Sequence, residues 1–161
     1  MEISAGLASG ISRKDGVNVQ EQAQREGTRT ISLRIPAKPE YITLCRLALT
    51  GLAQVRAIGD DAMADLKLAL TEAVSNSVRH AYGPDGDGHV EITYELQPDA
   101  LGIEVVDDGA GFDPDEAPSF DGDELSEGGL GIAIISSIAD EFQIRSKPGE
   151  RGSRLRFVKK L

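Results

Sequence analysis

The chain has 161 residues, which is enough for one domain and a tail, and its 40% hydrophobic content can form a two-layer core. Aromatic residues make up only 4%, so that core must be mainly aliphatic. The formal net charge of −10 argues against direct nucleic-acid binding, because phosphates repel an acidic surface. The single cysteine, Cys45, excludes an intrachain disulfide and a cysteine-rich metal site.

The chain carries no pattern typical of secretion or membrane insertion. Its N-terminus lacks a long apolar run after a basic start, and no stretch approaches the roughly 20 apolar residues of a membrane span. We therefore predict a cytoplasmic protein without membrane contact. Residues 1–30 are rich in Gly, Ser, Gln and charge without a sustained period, which predicts a flexible tail before a domain at 31–161.

The first half of the domain is predicted to hold one strand and two helices. Residues 31–35 alternate as a short strand. Pro39 opens a helix predicted over 40–58, and a second helix is predicted over 62–81. The predicted core stripe of the first helix is Leu44, Leu47, Ala48, Leu52 and Val55, and that of the second is Leu66, Leu70, Ala73, Val74 and Val78.

The second half is predicted to be mainly strand. Alternation predicts a hairpin from 89–96 and 101–106, then a helix over 130–140 and two strands at 142–146 and 153–159. This order of elements predicts an α/β (α+β) two-layer sandwich. Its sheet is expected to be mixed and mostly antiparallel, with the helices on one face.

The connection between the hairpin and the third helix is acidic and rich in Gly and Pro. It is too long and too polar for an ordinary turn, so residues 112–127 are predicted to form a functional lid. No Lys or Arg occurs between positions 107 and 143. The alternative is a solvated acidic loop, while the EF-hand calcium pattern is absent.

The second helix carries a polar face that could do chemistry. Successive helical residues turn by about 100°, so Glu72 and Asn76 lie about 40° apart and Arg79 returns to within about 20° of Glu72. His80 lies at the border of this face. An ordinary solvent-facing stripe is the alternative, although Asn and Ser are indifferent helix formers for such a surface.

Two glycine-rich segments could contact a nucleotide. In the first, Asp107 precedes Gly109 and Gly111 at a strand end, where a flat ligand could press on the backbone and the carboxylate could accept from an exocyclic amine. In the second, residues 127–131 read EGGLG at the start of an apolar helix, where uncovered N–H groups suit phosphate. A strand-ending turn and a flexible hinge are the respective alternatives, and no P-loop pattern is present.

Taken together, the order and spacing of these segments resemble the GHKL superfamily, which shares the Bergerat nucleotide-binding fold. Residues 72–80 look like its N box, 107–111 like its DxGxG box, and 128–131 like its GxxG-type box beyond the lid. The pair Gly152-Ser153 resembles the element before the final strand. Within the superfamily, residues 31–161 look most like the anti-sigma-factor serine kinases. A histidine kinase fits less well, because no dimerisation helix with a phospho-accepting His precedes the domain.

The resemblance implies that the chain uses ATP and Mg²⁺, with a role for each segment. Glu72 would be the general base and Asn76 the Mg²⁺ ligand, while Arg79 would either neutralise the triphosphate or pair with a surface carboxylate. Asp107 would accept a hydrogen bond from the adenine amine. The remaining residues implied in nucleotide binding are His80, Gly109, Gly111, Gly128, Gly129, Leu130, Gly131 and Ser153.

The resemblance also implies partners. The expected activity is phosphorylation of a serine on an anti-anti-sigma (STAS) protein, combined with sequestration of a sigma factor by a homodimer. Sigma contacts are expected on the first helix, which is predicted to expose Arg46, Thr50 and Gln54. Arg46 is the candidate contact, and the alternative for it is a solvated surface charge. The alternative is a nucleotide-loaded switch without useful transfer, which the acidic lid favours. A DNA-topology or mismatch-repair ATPase would need a further transducer domain.

Overall fold

The computed structural model describes residues 28–80, 87–109, 127–145 and 151–161. Apart from one 3₁₀ turn at Pro39–Tyr41, it contains three α-helices and five strands in these ranges. In chain order they are β1 (Arg29–Pro36), α1 (Ile42–Leu52), α2 (Asp60–His80), β2 (His89–Leu96), β3 (Ala100–Asp107), α3 (Glu127–Ile138), β4 (Glu141–Arg145) and β5 (Ser153–Lys160).

The five strands form one open sheet in the order β1-β2-β3-β5-β4. Each of the four pairings in the described part of the chain is antiparallel, so the expectation of a mixed sheet was wrong. Two of these pairings, β2–β3 and β4–β5, are hairpins, whose short connections allow only antiparallel neighbours because a parallel pair needs a long crossover. The β3–β5 pairing places Asp107 opposite Ser153, which brings two predicted site segments to one end of the sheet.

One face of the sheet is apolar and the other is polar. In β2 the residues Val90, Ile92, Tyr94 and Leu96 are buried and alternate with polar neighbours. Helix α2 packs on β2, β3 and β5, and α3 packs on β4 and β5. On the polar face Arg156 pairs with Glu95 at 2.7 Å. The predicted two-layer sandwich with an aliphatic core and helices on one face is therefore confirmed.

The predicted core stripe is confirmed for α2 and only partly confirmed for the first helix. All five predicted core residues of α2 are buried. In α1, Leu52 is buried as predicted and Ala48 packs against the core. The prediction was wrong for Leu44, Leu47 and Val55, which are exposed, whereas Cys45 and Leu49 are buried. The Tyr94 hydroxyl, buried on β2, donates to the Cys45 carbonyl oxygen at 2.8 Å. This bond from the sheet helps to fix which side of α1 faces inward.

Helix α1 is also shorter than predicted, because it ends at Leu52 and not at residue 58. Bonds from the Ala53 and Gln54 N–H groups to carbonyls three residues back tighten its end into a turn. Beyond that turn, the Arg56 guanidinium donates to the Gln97 carbonyl in the β2–β3 connection. This contact ties the chain between α1 and α2 to the sheet.

Helix α3 begins at Glu127, three residues before its predicted start. Its last carbonyl, that of Ile138, accepts a bond from Lys159 Nζ at 2.7 Å. The same ammonium lies 2.8 Å from Asp65 of α2, and the hydrogen bond that it donates to this carboxylate raises the pKa of Lys159. The C-terminal end of α3 is thereby joined to both α2 and β5.

Two predicted segments lie mostly or wholly outside the described residues. These are the tail, of which residues 28–30 are described, and the lid, of which only Glu127 is described. None of the helices in the described part of the chain combines the length and apolarity that a membrane crossing requires.

Candidate nucleotide site

Helix α2 carries the first part of the candidate site. Glu72 and Asn76 are both half-buried, one helical turn apart, and Arg79 is exposed. The Nδ2 atom of Asn76 is buried without a hydrogen-bond partner among the residues that the structure describes. A buried amide left unpaired costs about 1–3 kcal/mol, so this atom marks a position that a ligand could complete.

Helix α3 meets this polar face at Gly131. A Cβ atom placed on Gly131 would lie 2.7 Å from Glu72 Oε2, and 3.4 and 3.5 Å from the amide nitrogen and oxygen of Asn76. The absence of a side chain at Gly131 therefore lets α3 approach both polar groups of α2. Gly128 and Gly129 lie in the first turn of α3, where backbone N–H groups have no partner within the helix, and Leu130 is 47% exposed.

The second part of the site lies where β3 ends and β5 begins. Asp107 is the last residue of β3 and is only 5% exposed. Its Oδ1 accepts the Gly109 N–H at 3.1 Å, and its Oδ2 accepts the Ser153 hydroxyl at 2.6 Å. Each carboxylate oxygen can accept two bonds, so Asp107 retains capacity for a further donor such as an adenine amine.

Gly152 holds this arrangement together. Its N–H donates to the Gly109 carbonyl at 2.9 Å, which joins the two loops beside Asp107. Its φ is +89°, a conformation that residues with a side chain rarely adopt. A Cβ atom at this position would also lie 2.6 Å from the Asp107 carbonyl oxygen. Both the backbone shape and the close approach require glycine here.

The predicted site residues thus fall into two clusters within the described ranges. Glu72, Asn76 and Gly131 form one, and Asp107, Gly109 and Ser153 form the other. Gly128, Gly129 and Leu130 precede Gly131 in α3. His80 is the last residue of α2, and the structure describes its backbone but not its side chain. Gly111 lies outside the described residues.

The structural role of one residue, Gly152, was not predicted from the sequence. Gly152 was noted only as the neighbour of Ser153, and its left-handed backbone was not predicted. The signal was the turn-rich stretch 147–152, which reads KPGERG and ends in a glycine just before a strand. Which glycine of such a turn takes the left-handed conformation depends on its tertiary contacts.

The chemistry of the donors fits a magnesium ion. Mg²⁺ usually takes one or two protein oxygens and completes its shell with water and substrate phosphates. The amide of Asn76 offers one oxygen, and the Glu72 carboxylate lies close to the same point of approach of α3. Asn76 would therefore hold Mg²⁺ at the cluster formed by α2 and α3.

Comparison with known proteins shows the family of this chain. Residues 35–159 match the model of the histidine kinase-like ATPase domain. The chain is 38% identical over 127 residues to a protein named serine-protein kinase RsbW from Bacillus subtilis, which covers 74% of this chain and 79% of that relative. A protein of the same name from Listeria monocytogenes is 38% identical over 122 residues, covering 71% of this chain and 78% of the relative.

Solved structures agree on the fold. The RsbU and RsbW domains of Rv1364c from Mycobacterium tuberculosis match with a TM-score of 0.59 at 19% identity, over 81% of this chain and 32% of that one. The histidine kinase domain of the blue-light activated kinase EL346 from Erythrobacter litoralis matches with a TM-score of 0.51 at 18% identity, over 77% of this chain and 60% of that one. The chain therefore belongs to the family of histidine kinase-like ATPase domains, together with the serine-protein kinases RsbW.

Proposed function

We propose that this chain is an ATP-dependent serine-protein kinase that also acts as an anti-sigma factor in the cytoplasm. The observation that carries the proposal is the contact among Glu72, Asn76 and Gly131, which places a carboxylate beside an unpaired amide at the approach of two helices. Its support is that serine-protein kinases RsbW are 38% identical to this chain over most of their length.

In the proposed reaction, the hydroxyl oxygen of a substrate serine attacks the γ-phosphorus of ATP. A bond forms between the serine oxygen and phosphorus, and the bond from phosphorus to the β–γ bridging oxygen breaks, releasing ADP. Glu72 accepts the proton of the serine hydroxyl. Such general-base catalysis contributes about 10²–10⁴-fold in rate. Positioning of the hydroxyl by the groups around Glu72 supplies a further part of the acceleration.

Binding of the nucleotide rests on groups at both clusters. A magnesium ion held at Asn76 would neutralise charge on the phosphates. The carboxylate of Asp107 would accept from the adenine amine, which distinguishes adenine from a base with a carbonyl at that position. The first turn of α3, with Gly128 and Gly129, offers backbone N–H groups to phosphate oxygens.

The proposed partners are a sigma factor and a STAS-domain substrate, bound by a homodimer. Helix α1 supports a protein contact because Leu47 is 60% exposed and Leu44 and Arg46 are exposed beside it. Exposed apolar side chains around a cation are typical of interfaces with a charged rim. Arg46→Glu should weaken capture of the cognate sigma factor while ATP affinity is unchanged; equal capture by both proteins would remove α1 from the interface.

A second candidate function is a switch that binds nucleotide and partner without transferring phosphate. The observation that favours it is the absence of Lys and Arg between positions 107 and 143, since no cation from that segment can approach the γ-phosphate. The two candidates differ in one property, which is phosphorylation of the partner.

The deciding experiment incubates the protein with γ-labelled ATP, Mg²⁺ and STAS proteins encoded near its gene. A kinase transfers label to one serine of one STAS protein, and alanine at that serine abolishes labelling. Glu72→Gln is the matched variant, because it keeps the size of the side chain and removes its basicity. Nucleotide binding with no label on any STAS protein would instead support the switch.

A further inference from the structure

We propose that Gly131 is a positioning residue for Glu72: its missing side chain leaves the space that the catalytic carboxylate occupies. The proposal rests on the proposed function, in which Glu72 takes the proton of the substrate serine. It assigns to Gly131 a role different from phosphate binding, which is the usual role of glycines at the start of a helix.

The contact is selective for Glu72. A Cβ atom on Gly131 would approach Glu72 Oε2 to 2.7 Å, whereas real Cβ atoms stay beyond 3.0 Å from such neighbours. The two amide atoms of Asn76 would be at 3.4 and 3.5 Å, which is ordinary van der Waals contact. A methyl group here must therefore move the Glu72 carboxylate and can leave Asn76 in place.

Neither backbone geometry nor an unpaired N–H explains why position 131 is glycine. Gly152 is the glycine with a left-handed φ among the described residues, so Gly131 has a conformation open to alanine. Gly131 is also the fifth residue of α3, beyond the first four residues whose N–H groups lack a partner within the helix. Alanine is the better helix former at an interior position, yet it would collide with Glu72.

The expected consequence is a displaced base in an intact fold. The atom that meets the new methyl group is the far end of a flexible side chain, so the carboxylate rotates more easily than the helices separate. The Glu72 carboxylate would then leave the position that it occupies beside Gly131 in the wild-type protein, and proton transfer from the substrate serine would slow. Substrate and nucleotide binding should change little, because the carboxylate acts only in the chemical step.

The first test compares Gly131→Ala with wild type in single-turnover transfer to the STAS substrate. We expect the rate at saturating Mg-ATP to fall by about 10–100-fold while the Kd for Mg-ATP changes by less than about threefold. Gly51→Ala is the control for stability and nucleotide affinity, because it is also a helical glycine and a Cβ there would meet nothing within 4 Å. A loss explained wholly by weaker Mg-ATP binding would overturn the proposal and return Gly131 to the phosphate site.

The second test is a double-mutant cycle with Glu72→Asp, which draws the carboxylate back by one methylene. If Gly131→Ala acts by colliding with the Glu72 carboxylate, it should slow transfer by less than about threefold when it is added to the Glu72→Asp variant. Equal fold losses in the wild-type and Glu72→Asp backgrounds would show that the effects are independent, and would overturn the proposal.

A third measurement keeps the contact testable if the wild type transfers no phosphate and the proposed function fails. Thermal unfolding is compared for Gly131→Ala in the wild-type and Glu72→Ala backgrounds. Relief of the collision predicts that alanine at 131 raises Tm by about 1–3 °C more when Glu72 is truncated. An equal change of Tm in both backgrounds would contradict the contact itself.

Discussion

The two clusters of the candidate site differ in how completely the protein satisfies them. At the end of β3 and the start of β5, both oxygens of Asp107 accept hydrogen bonds, and the neighbouring loops are joined by a bond from Gly152 to Gly109. At the approach of α2 and α3, the buried Asn76 amide nitrogen has no partner in the described structure. We refer to these as the sheet-end cluster and the helix cluster.

The difference follows from the elements that build each cluster. The sheet-end cluster is fixed by the backbone register of β3 and β5, so it forms when the sheet folds. The helix cluster depends on side chains from two helices that approach closely only at a glycine. We therefore propose that the sheet-end cluster is complete before a nucleobase binds, whereas the helix cluster would be completed by Mg²⁺ and phosphate.

Gly152→Ala should disrupt the sheet-end cluster most strongly. It places a side chain at φ +89° and 2.6 Å from the Asp107 carbonyl oxygen. The left-handed conformation alone costs about 1–2 kcal/mol, so we expect a loss of at least about 2 kcal/mol in the free energy of unfolding, together with weaker ATP binding. Chemical denaturation and calorimetry measure the two effects.

The control for Gly152 is Gly59→Ala, where a Cβ would meet nothing within 4 Å. If Gly152→Ala does not fold, Gly152→Asn serves instead, since asparagine tolerates this backbone better and isolates the steric part. Wild-type stability and affinity in Gly152→Ala would show that the sheet-end cluster is not rigid.

Asp107→Asn should weaken ATP binding while leaving the fold intact. The amide presents a donor where Ser153 or the adenine amine also donates, and the loss of a charge-assisted bond costs about 1.5–3 kcal/mol, or about 10–150-fold in affinity. Ser153→Ala removes one donor and spares the carboxylate, so its loss of affinity should be smaller. Calorimetry measures the affinity for ATP, and an unchanged affinity in a folded Asp107→Asn protein would show that Asp107 is not part of the site.

Asn76→Ala should behave in the opposite way to a change at the sheet end. Because its buried amide nitrogen has no partner in the described structure, removing the amide relieves a desolvation cost of about 1–3 kcal/mol, so the free energy of unfolding should stay unchanged or rise. The dependence of nucleotide affinity on Mg²⁺ should fall, which titrations with and without the metal measure. An Asn76→Ala protein that keeps its full Mg²⁺ dependence would place the metal elsewhere.

The smallest effect is expected at Cys45, which is buried in α1 and belongs to neither cluster. Burial raises the pKa of its thiol from 9.0 to about 11, so the native protein should resist alkylation at pH 8 until it unfolds. A raised folded-state pKa also stabilises the fold below pH 9, and this contribution is lost as pH rises from about 9 towards 11. Rapid alkylation of the native protein would contradict this burial.

The sequence predicts the fold well where the periodicity is unambiguous. The alternation of β2 gives its bounds, and the apolar stripe of α2 identifies its buried face. The buried face of α1 was predicted only in part, because apolar residues lie nearly all round this helix and several of its faces fit the helical period. The face at Cys45 and Leu49 is selected by packing on the sheet and by the bond from Tyr94, both of which are non-local.

The candidate site could likewise be predicted from the sequence only where its contacts are local. Helical geometry brings Glu72 near Asn76, so their proximity could be predicted from spacing alone. The bond between Asp107 and Ser153 joins residues 46 positions apart and depends on the register of β3 and β5, which no local pattern specifies. The contact of Gly131 with Glu72 likewise depends on how closely two helices pack.

The measurement that tests the central contrast most directly is single-turnover transfer from γ-labelled ATP, with Glu72→Gln and Asp107→Asn compared over a range of Mg-ATP concentrations. We expect Glu72→Gln to remain about 10²–10⁴-fold slower than wild type at saturation with nearly normal affinity, whereas Asp107→Asn should approach the wild-type rate once the nucleotide is saturating. Wild-type transfer by Glu72→Gln, or a rate of Asp107→Asn that stays equally low at saturation, would contradict the division of the site into a nucleobase end and a catalytic end.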